Sequence, residues 1–510
     1  MSFSDPFPGY SIMLRVLIYG VVPLFGLVQF IRLRRALHVF QLEGYKPERF
    51  LDWCRSNRSR ALFLSRPTTK KPLAMTSRAW RILIVAVTLS VLLVLLASGA
   101  AHLGGGWPFD VATFAVAVAV AFLGAPRTIV VADRLLAPVQ SAINDHYSRA
   151  ARRKLDEIAP RVVAITGSFG KTSTKFAIAG LVGGSPEVLA TPASFNTPMG
   201  ICRTINEHLQ GAHRFFVVEM GAYGEGEIAQ LCELVRPSIG VLTAIGPAHL
   251  ERFGSMDAIR RTKYEVVTCL PDDGVAVMNV DDPEVRRLAD ETSRVRVIRY
   301  GLDAGGRPDV TASAVEAGPE GTSLVVELPG SAEELAVRTR LLGRHSIGHV
   351  LAAVAVALAA GRALGELGEA IARLRPVEHR LQLLEGTGGV TVIDDAFNSN
   401  PEGADAALDV LAAMPHARKV VVTPGIVELG EMQAEANQAF GARAARVADA
   451  LVVVARVNRD AIVAGATSAN GNAEVVAVDS LAQAQERLET LLGPGSVVLF
   501  ENDLPDQYEG

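Results

Sequence analysis

A short segment with two glycines, placed between a strand-like run and a helix-like run, restricts the fold more than any other feature. The run Arg161–Thr166 (RVVAIT) is rich in β-branched residues, as in a buried strand, and GSFGKTS (167–173) follows it directly. Glycines let backbone N–H groups converge on phosphate oxygens, and the N-terminus of the following helix adds partial positive charge. The segment therefore predicts an α/β fold that binds the phosphates of a nucleotide.

Two side chains of this loop have predicted tasks of their own. Lys171 is expected to reach the terminal phosphates of ATP, and the hydroxyl of Thr172 is expected to ligate Mg²⁺. The usual motif has a further glycine where this chain has Ile165, so a chance glycine turn is the alternative to a phosphate site. The remaining members of the predicted nucleotide-binding set in this segment are Thr166, Gly167, Ser168, Gly170 and Ser173.

Short apolar runs alternate with amphipathic helical patterns from residue 155 onward. These runs are 161–166, 214–220, 239–245, 274–280, 390–396, 419–425, 450–456 and 496–502. Alternation of this kind predicts mainly parallel sheets with helices on their faces. The stretch 295–345 has short strands and predicts a small β subdomain, and LRPVEHRLQ (374–382) is the expected domain boundary. We therefore predict a central ATP-binding domain over 155–375 and a Rossmann-like C-terminal domain over 376–510.

The first 140 residues have the composition of a membrane domain. Hydrophobic residues form 49% of the chain, its mean hydropathy is +0.26, and the excess is concentrated in apolar stretches at about 12–31, 82–103 and 111–131. A bilayer crossing needs about 20 apolar residues, so each stretch is a predicted transmembrane helix. The second is the clearest, because the first contains Arg15 and Pro23 and the third is rich in Ala and Val.

Lysine and arginine are distributed unevenly around these stretches. The loop at 32–81 is strongly basic, as is the segment after the third stretch, whereas residues 1–10 and 104–110 contain neither lysine nor arginine. The positive-inside rule then places the N-terminus outside and everything after about residue 140 in the cytoplasm. We predict a multi-pass protein of the plasma (inner) membrane. The basic loop either sets this topology alone or also holds anionic lipid headgroups or a lipid-linked substrate.

Charge and cysteine content exclude other classes. The net charge of −4 gives no reason to expect nucleic-acid binding. The cysteines show no paired spacing, so neither a disulfide framework nor a cysteine zinc site is expected. They are Cys54, Cys202, Cys232 and Cys269.

Three polar residues outside the loop are candidate ligands, although each alone is unremarkable. Glu219 ends the run FFVVEM, where a carboxylate at the C-terminal edge of a sheet would face the ligand crevice. His249 follows the run 239–245, and Lys263 lies in RRTKYEVV. Taken singly, these are the features of a strand end, a loop histidine and a solvated helix lysine.

From about residue 160 to 435 the chain resembles the Mur ligases, the amide-bond-forming enzymes of peptidoglycan precursor synthesis, and within them the D-alanyl-D-alanine-adding branch. The matching segments occur in the order and spacing of the family. They are TGSFGKTST, SFNTPMGI, VEMGAYGEGEIAQLCELVRPSIGVLTAIGPAHLERFGS, TKYEVV, MNVDD, GRHS, HRLQ and IDDAFNSNPEG. The resemblance implies a P-loop central domain followed by a Rossmann-like C-terminal domain.

The resemblance also implies roles for individual residues. Thr172 and Glu219 would hold a Mg²⁺ that bridges phosphates, and His249 and Lys263 would serve a second Mg²⁺. In the family that lysine is carbamylated, which turns a repelling ammonium into an anionic oxygen ligand. Asn196 would approach the γ-phosphate and the carboxylate. The implied contacts to ATP are Asn279, Arg380 and Asp395, with Asn398 and Asn400 as weaker candidates on the same loop.

The implied reaction has two steps. A carboxylate attacks the γ-phosphate to give an acyl-phosphate and ADP, and an amine then attacks the acyl carbon and releases phosphate. Residues from the boundary and the C-terminal domain complete the site, so domain closure is expected. The expected cofactors are ATP and Mg²⁺, and the expected partners are a carboxylate substrate, an amine substrate and membrane lipids.

The chain departs from the family in three places. About 35 residues (132–166) separate the last apolar stretch from the phosphate loop, which leaves no room there for the domain that binds the uridine nucleotide in soluble Mur ligases. Two positions that carry asparagine near the adenine in the family are Ser346 and His349 in this chain. The C-terminal run VVLFENDL stands where the peptide ligases of the family have a lysine-containing turn. A substrate presented at the membrane, lipid-linked or polymeric, is therefore plausible.

Several functions remain open at this point. The leading one is a membrane-bound, ATP-dependent carboxylate–amine ligase of cell-envelope or polymer biosynthesis. The alternatives are an anchored D-alanyl-D-alanine-adding enzyme and a ligase that extends a poly-amino-acid chain. A non-catalytic ATP-binding membrane subunit is the alternative from a different class.

Overall fold

The structure is a computed structural model of the 510-residue chain. It describes residues 22–58, 61, 72–104, 109–183, 186–193, 195–397, 399–415, 418–454, 456–469 and 471–504. The chain divides into two compact units, one ending at Asp145 and the other beginning at His146.

All regular structure described before Arg161 is helical. The helices are α1 (Val22–Leu42), α2 (Pro47–Ser56), α3 (Ser77–Gly104), α4 (Phe109–Leu123) and α5 (Ala125–Ile158). In the first unit the apolar contacts are made by side chains that recur at helical spacing, such as Leu33 and Leu37 of α1 and Ile82, Leu83 and Ala86 of α3.

The three predicted membrane helices have different outcomes. The second is a helix whose segment Ser77–Ala100 is long and apolar enough to cross a bilayer. The third is not one straight helix, because the chain bends by 71° between α4 and α5 and meets the same test only as a bent pair. Of the first, residues 12–21 lie outside the described part of the chain and the remainder begins α1. The described residues thus hold one candidate span, or two if the bent pair is one span.

The bend at Gly124 has a local physical cause. Carbonyls at the end of α4 find side-chain donors on α1: Gln29 Nε2 donates to Ala121 O at 2.9 Å, and Arg32 Nε donates to Phe122 O at 2.5 Å. The Arg32 guanidinium also lies 4.3 Å from the centre of the Phe122 ring. Gly124 separates the two helices, and Pro126 has no N–H to donate to Phe122 O, so the helical hydrogen bonding is interrupted there and Arg32 supplies the donor instead.

A parallel sheet of six strands forms the central domain, as predicted. Its order is β2-β3-β1-β4-β5-β6. Alternate residues of β1 belong to two apolar clusters, Val162 and Ala164 to one and Val163 and Ile165 to the other, so both faces are covered. The strands are β1 (Arg161–Thr166), β2 (Val188–Ala190), β3 (Phe215–Glu219), β4 (Ile239–Leu242), β5 (Val275–Asn279) and β6 (Arg296–Tyr300). The helices are α6 (Lys171–Val182), α7 (Pro198–His208), α8 (Glu227–Val235), α9 (Leu250–Phe253), α10 (Met256–Thr268) and α11 (Pro283–Glu291).

The predicted small β subdomain is present as a three-stranded antiparallel sheet. It consists of β7 (Thr311–Gly318), β8 (Gly321–Glu327) and β9 (Glu334–Thr339). The helix α12 (Ser346–Ala359) follows, with nearly every residue from Val350 to Ala357 fully buried, and α13 (Gly368–Ala372) ends the domain. An apolar helix of this length is thus a core helix rather than a membrane span.

A second six-stranded sheet forms the C-terminal domain. Its order is β10-β11-β15-β12-β13-β14, with β10 antiparallel to β11 and the other pairs parallel. The strands are β10 (Gln382–Glu385), β11 (Thr391–Asp395), β12 (Arg418–Thr423), β13 (Ala450–Val454), β14 (Glu474–Val478) and β15 (Ser496–Glu501). The helices are α14 (Pro401–Ala413), α15 (Gln433–Val447), α16 (Arg459–Ser468) and α17 (Leu481–Leu491).

The expectation of unpaired cysteines is wrong for one pair. Cys232 of α8 and Cys269, directly after α10, form a disulfide with a Cα–Cα distance of 6.2 Å. The two residues are 37 positions apart, so only the packing of α8 against α10 brings them together. Cys54 and Cys202 are free thiols.

Candidate active site

The phosphate loop lies at the C-terminal end of β1, where β3 and β4 flank that strand. In parallel sheets this point, where the strand order reverses, is where ligands bind. Gly167 has φ 153°, and a Cβ there would lie 2.0 Å from Thr243 Oγ1, so no other residue fits. Gly170 takes the left-handed conformation (φ 77°) directly before α6. The backbone thus presents the N-terminus of α6 to the crevice, as the sequence predicts.

Lys171 and Thr172 lie at the start of α6. Lys171 Nζ donates to the carbonyls of Gly167 (2.7 Å) and Ser168 (3.1 Å), so the ammonium is held over the loop. Burial lowers the pKa of Lys171 to about 8, against the opposing effect of the Glu219 carboxylate. Thr172 Oγ1 donates to Glu219 Oε2 at 2.9 Å. The structure therefore joins a loop residue to a carboxylate 47 positions away, as the magnesium assignment requires.

Glu219 has two further partners. The Lys175 ammonium lies 3.1 Å from Glu219 Oε2, and both side chains are buried. Asn196 Nδ2 donates to Glu219 Oε1 at 3.3 Å. Lys175 was not among the predicted site residues, although its position one helical turn after Lys171 places both lysines on the same face of α6. Asn196, predicted to approach the γ-phosphate, lies beside the expected magnesium ligand.

His249 belongs to a cluster that joins the two domains. Its Nδ1 hydrogen-bonds to the carboxylate of Glu428, which also accepts from Arg252 NH2 at 2.5 Å. The Arg252 guanidinium stacks 4.6 Å from the centre of the Tyr223 ring, and the His249 ring meets that ring edge-on at 5.0 Å. Burial lowers the pKa of His249 against the opposing effect of the Glu428 carboxylate, and the charges of Lys171 and Arg252 lower it further. The sequence analysis did not identify Glu428, since no local pattern marks it.

Lys263 is buried on α10, with 3% of its surface exposed. Burial lowers the pKa of Lys263 to about 7, and the nearby charge of Lys171 contributes, whereas Glu227 and Glu265 oppose the shift. Its ammonium lies 5.5 Å from the centre of the Phe253 ring. A pKa near 7 leaves a large fraction of neutral amine at neutral pH, which an exposed helix lysine does not have.

Other predicted nucleotide residues are bound to the protein backbone. Thr166 Oγ1 donates to Met220 O at 3.0 Å, and Ser168 Oγ donates to Gly246 O at 2.9 Å. Asn279 Nδ2 donates to Thr243 O at 2.9 Å, so this amide shapes the end of β4. Ser173 is half-buried in the first turn of α6. Asn400 is the N-cap of α14, where its Oδ1 accepts from Gly403 N at 3.0 Å, and Asn398 lies outside the described residues.

Arg380 and Asp395 belong to the C-terminal domain, and Asp395 ends β11. The Arg380 guanidinium stacks 4.4 Å from the centre of the Phe397 ring. Burial lowers the pKa of Arg380, against the charges of Asp395, Glu219 and Glu501. Asp395 and Glu501 end the neighbouring strands β11 and β15, and burial raises the pKa of both carboxyls. Leu381 N donates to Asp395 Oδ1 at 3.1 Å, and the Ser399 hydroxyl donates to the Glu501 carboxyl.

The two positions that replace the family's asparagines point into the protein. His349 Nδ1 lies 2.9 Å from Thr174 Oγ1, and a Cβ on Gly170 would lie 3.0 Å from His349 Cε1. Burial lowers the pKa of His349 to about 3, so the ring is neutral. Ser346 Oγ donates to Gly343 O at 2.8 Å. His349 therefore packs against the phosphate loop at Gly170 and against the first turn of α6 at Thr174.

The donor atoms around Thr172 fit Mg²⁺, a hard cation that prefers oxygen ligands. A hydroxyl and a carboxylate meet beside the phosphate loop, and phosphate oxygens would supply further ligands. Among the described residues there is no group of three or more His, Cys, Asp and Glu suited to a metal, so a bound ion would depend on the nucleotide. The second predicted pair, His249 and Lys263, offers one imidazole and one amine, and fits Mg²⁺ only if the lysine carries an oxygen donor.

The fold and the site define an ATP-dependent enzyme with a P-loop domain and a second α/β domain. The family models of the Mur ligase middle domain and of the Mur ligase glutamate ligase domain match residues 165–357 and 379–501. The chain belongs to the Mur ligase family, the ATP-dependent amide ligases of peptidoglycan precursor synthesis.

Individual relatives agree with this assignment. Proteins of Mycobacterium tuberculosis and Mycobacterium bovis, both named UDP-N-acetylmuramoyl-tripeptide–D-alanyl-D-alanine ligase, are each 34% identical over 428 residues, which cover 76% of this chain and 82% of theirs. The structure of MurF from Acinetobacter baumannii has a TM-score of 0.64 at 26% identity and covers 72% of this chain and 78% of its own. MurF ligase from Thermotoga maritima in complex with ADP has a TM-score of 0.63 at 26% identity, with 72% and 82% covered.

Proposed function

We propose that this chain is a membrane-anchored, ADP-forming ligase that joins an amine of the D-alanyl-D-alanine type to the peptide carboxylate of a peptidoglycan precursor. The arrangement of Lys171, Thr172, Glu219 and Asn196 around the end of β1 carries the proposal. These groups converge where a γ-phosphate and an attacking carboxylate would meet. The names of the mycobacterial relatives support the choice of amine.

The residues of the chain would perform the first step by positioning and charge. Lys171 is placed to balance the negative charge that spreads over the transferring phosphoryl group, which is the main electrostatic task in such reactions. Asn196 would orient the carboxylate for in-line attack. Mg²⁺, held by Thr172 and Glu219, would neutralise the phosphates. The product of this step is an acyl-phosphate together with ADP.

We propose a carbamate on Lys263 as the oxygen donor that the second site needs. The neutral amine attacks CO₂, one N–C bond forms and one proton is released to solvent. The pKa of Lys263, about 7, supports this step because only the neutral amine is a nucleophile. The product is an anionic oxygen ligand of the kind Mg²⁺ prefers.

The carboxylate substrate is proposed to be presented at the membrane. Before Arg161 the described residues form helices only, and the segment Ser77–Ala100 is long and apolar enough to span a bilayer. The basic residues of the loop at 32–81 would face the cytoplasm. The catalytic domains would then meet a lipid-linked or polymeric precursor, with membrane lipids as partners.

The release of ADP and phosphate by the detergent-purified chain tests this proposal. One reaction contains UDP-muramyl-tripeptide and D-alanyl-D-alanine, and a second contains a membrane lipid extract with D-alanyl-D-alanine, each beside the Lys263→Ala variant. Release that requires the lipid extract supports a membrane-presented carboxylate. Release with the UDP-linked peptide would leave the ligase assignment in place and refute the membrane-presented substrate. No amine-dependent release in either reaction would favour a non-catalytic ATP-binding subunit.

A further inference from the structure

The carboxylate of Glu428 forms a direct bridge from the C-terminal domain to the central domain. It accepts hydrogen bonds from His249 Nδ1 and from Arg252 NH2, which lie 179 and 176 positions earlier in the chain. Only 8% of the Glu428 side chain is exposed, compared with about a fifth of each partner. A largely buried carboxylate with two partners from another domain makes charge-assisted bonds of the stronger kind.

The backbone on both sides of this bridge has an unusual conformation. Glu428 has φ 66° and His249 has φ 58°, and neither residue is a glycine. A bulky residue in the left-handed region costs about 1–3 kcal/mol unless the surroundings impose it, and such residues concentrate at functional sites. Here each of these conformations places a side chain at the interface between the domains.

The segment that carries Glu428 is held firmly. Asn437 of α15 is fully buried, and its side chain accepts from Ile426 N and donates to Ile426 O, both at 2.8 Å. Val427 and Leu429, on either side of Glu428, are buried as well. The C-terminal domain therefore fixes the backbone that carries the carboxylate.

The bond to Glu428 also determines which nitrogen of His249 is available. An ionised carboxylate only accepts, so Nδ1 carries the proton in this contact and Nε2 keeps its lone pair when the ring is neutral. Ligating histidines commonly have such a carboxylate on the second nitrogen, which orients the ring and raises its basicity. His249 lies three residues after Gly246, whose N–H and carbonyl both hydrogen-bond to the Ser168 hydroxyl of the phosphate loop at 2.9 Å, so the segment that carries the ring borders that loop.

We propose that Glu428 is a positioning residue, which holds His249 with Nε2 free to serve Mg²⁺ near the acyl-phosphate and makes this half of the site depend on closure of the C-terminal domain. The inference rests on the proposed function for the identity of the reaction and for the carbamate on Lys263, whereas the contacts of Glu428 with His249 and Arg252 are independent of it. Arg252 has the supporting part of holding the Glu428 carboxylate in place. The central domain thereby acquires its complete second site only when the C-terminal domain is docked.

A Mn²⁺ titration followed by electron paramagnetic resonance tests the proposal on the full-length chain. It uses a non-hydrolysable ATP analogue and bicarbonate, so that no turnover is needed. The variants are Glu428→Gln, which keeps the shape but not the charge, Glu428→Asp, which keeps the charge, and Arg252→Met, which leaves the His249–Glu428 contact. Glu431→Gln is the matched control, since Glu431 lies three residues along the same loop and is exposed.

We expect the wild-type chain and Glu431→Gln to bind a second Mn²⁺. Glu428→Gln should bind it about 10- to 100-fold more weakly, which is the usual loss when a residue that hydrogen-bonds to a metal ligand is replaced. Glu428→Asp should recover part of the loss, and Arg252→Met should lose much less than Glu428→Gln. In turnover assays kcat should fall for Glu428→Gln, whereas the KM for ATP should stay within about twofold because the first site is intact.

Three results would overturn the proposal. They are equal Mn²⁺ binding by the wild-type chain and Glu428→Gln, equal losses in Arg252→Met and Glu428→Gln, and the absence of a second ion in the wild-type chain. The first result means that Glu428 does not position His249. The second means that Glu428 only stabilises the contact between the two domains. The metal titration needs no carboxylate or amine, so failure of the substrate assignment leaves it decisive.

Discussion

Lys175 and Glu219 form a buried ion pair beneath the phosphate loop: the ammonium nitrogen lies 3.1 Å from Glu219 Oε2, with 0% and 2% of the side chains exposed. The same oxygen accepts the Thr172 hydroxyl. A helix residue that would not itself touch the nucleotide thus holds the expected magnesium ligand. Burial lowers the pKa of Lys175, but the Glu219 carboxylate opposes this effect.

Lys175→Met should destabilise the chain by about 3–5 kcal/mol, because removing one partner leaves a buried carboxylate unpaired. The free energy of unfolding of the full-length chain in detergent measures this loss. Adding Glu219→Gln to Lys175→Met should recover part of it, since the stranded charge is then removed. If the double variant is no more stable than the sum of the two single losses predicts, the pair does not interact as described.

Thr172→Ala should raise the Mg²⁺ concentration needed for half-maximal ADP release, whereas Thr172→Ser should stay near wild type because it retains the hydroxyl. The loss of one oxygen ligand beside the phosphates is the physical reason. Mg²⁺ titrations of ADP release at fixed ATP measure the difference. An unchanged requirement in Thr172→Ala would remove this residue from the metal site.

Lys263→Ala should abolish ligation while leaving the thermal unfolding midpoint close to that of the wild type. If the residue is carbamylated, removal of bicarbonate and CO₂ should slow the wild-type reaction. Activity at limiting bicarbonate should then rise as the pH passes through about 7, where the amine loses its proton. If activity does not depend on bicarbonate, Lys263 acts as an uncharged amine and not as a carbamate.

Glu501→Gln should stabilise the chain relative to wild type at pH 8 more than at pH 5. Burial and the neighbouring Asp395 raise the pKa of Glu501 well above its usual value of 4.5. A carboxyl with a raised folded pKa contributes stability that is complete below the unfolded pKa and is lost as the pH rises through the folded pKa. A glutamine is neutral throughout and avoids that loss.

Thermal unfolding at the two pH values measures this effect, with the exposed residue Glu489→Gln as the control. A difference between Glu501→Gln and wild type that does not grow from pH 5 to pH 8 would contradict a raised pKa of Glu501. Each unit of pKa shift corresponds to about 1.4 kcal/mol, so a partial effect is measurable.

The sequence by itself determined the local elements of this chain. The run RVVAIT, the glycines of GSFGKTS and the apolar periodicity predict the parallel central sheet and the phosphate loop, because strand burial and glycine conformation are local properties. The three-stranded subdomain was predicted from turn residues in the same way. The third apolar stretch was predicted as one helix, but the chain bends by 71° between α4 and α5, where Gly124 and Pro126 interrupt the helical hydrogen bonding.

Only the tertiary structure decided which distant groups meet. Lys175 is an ordinary helix lysine in the sequence and becomes the buried partner of Glu219, and Cys232 and Cys269 pair because α8 packs on α10. Glu428 has no local signature, yet docking of the C-terminal domain brings it to His249 and Arg252. Burial and proximity arise from packing, so the pKa shifts of Lys263 and Glu501 and the completeness of the second site could not be read from local patterns.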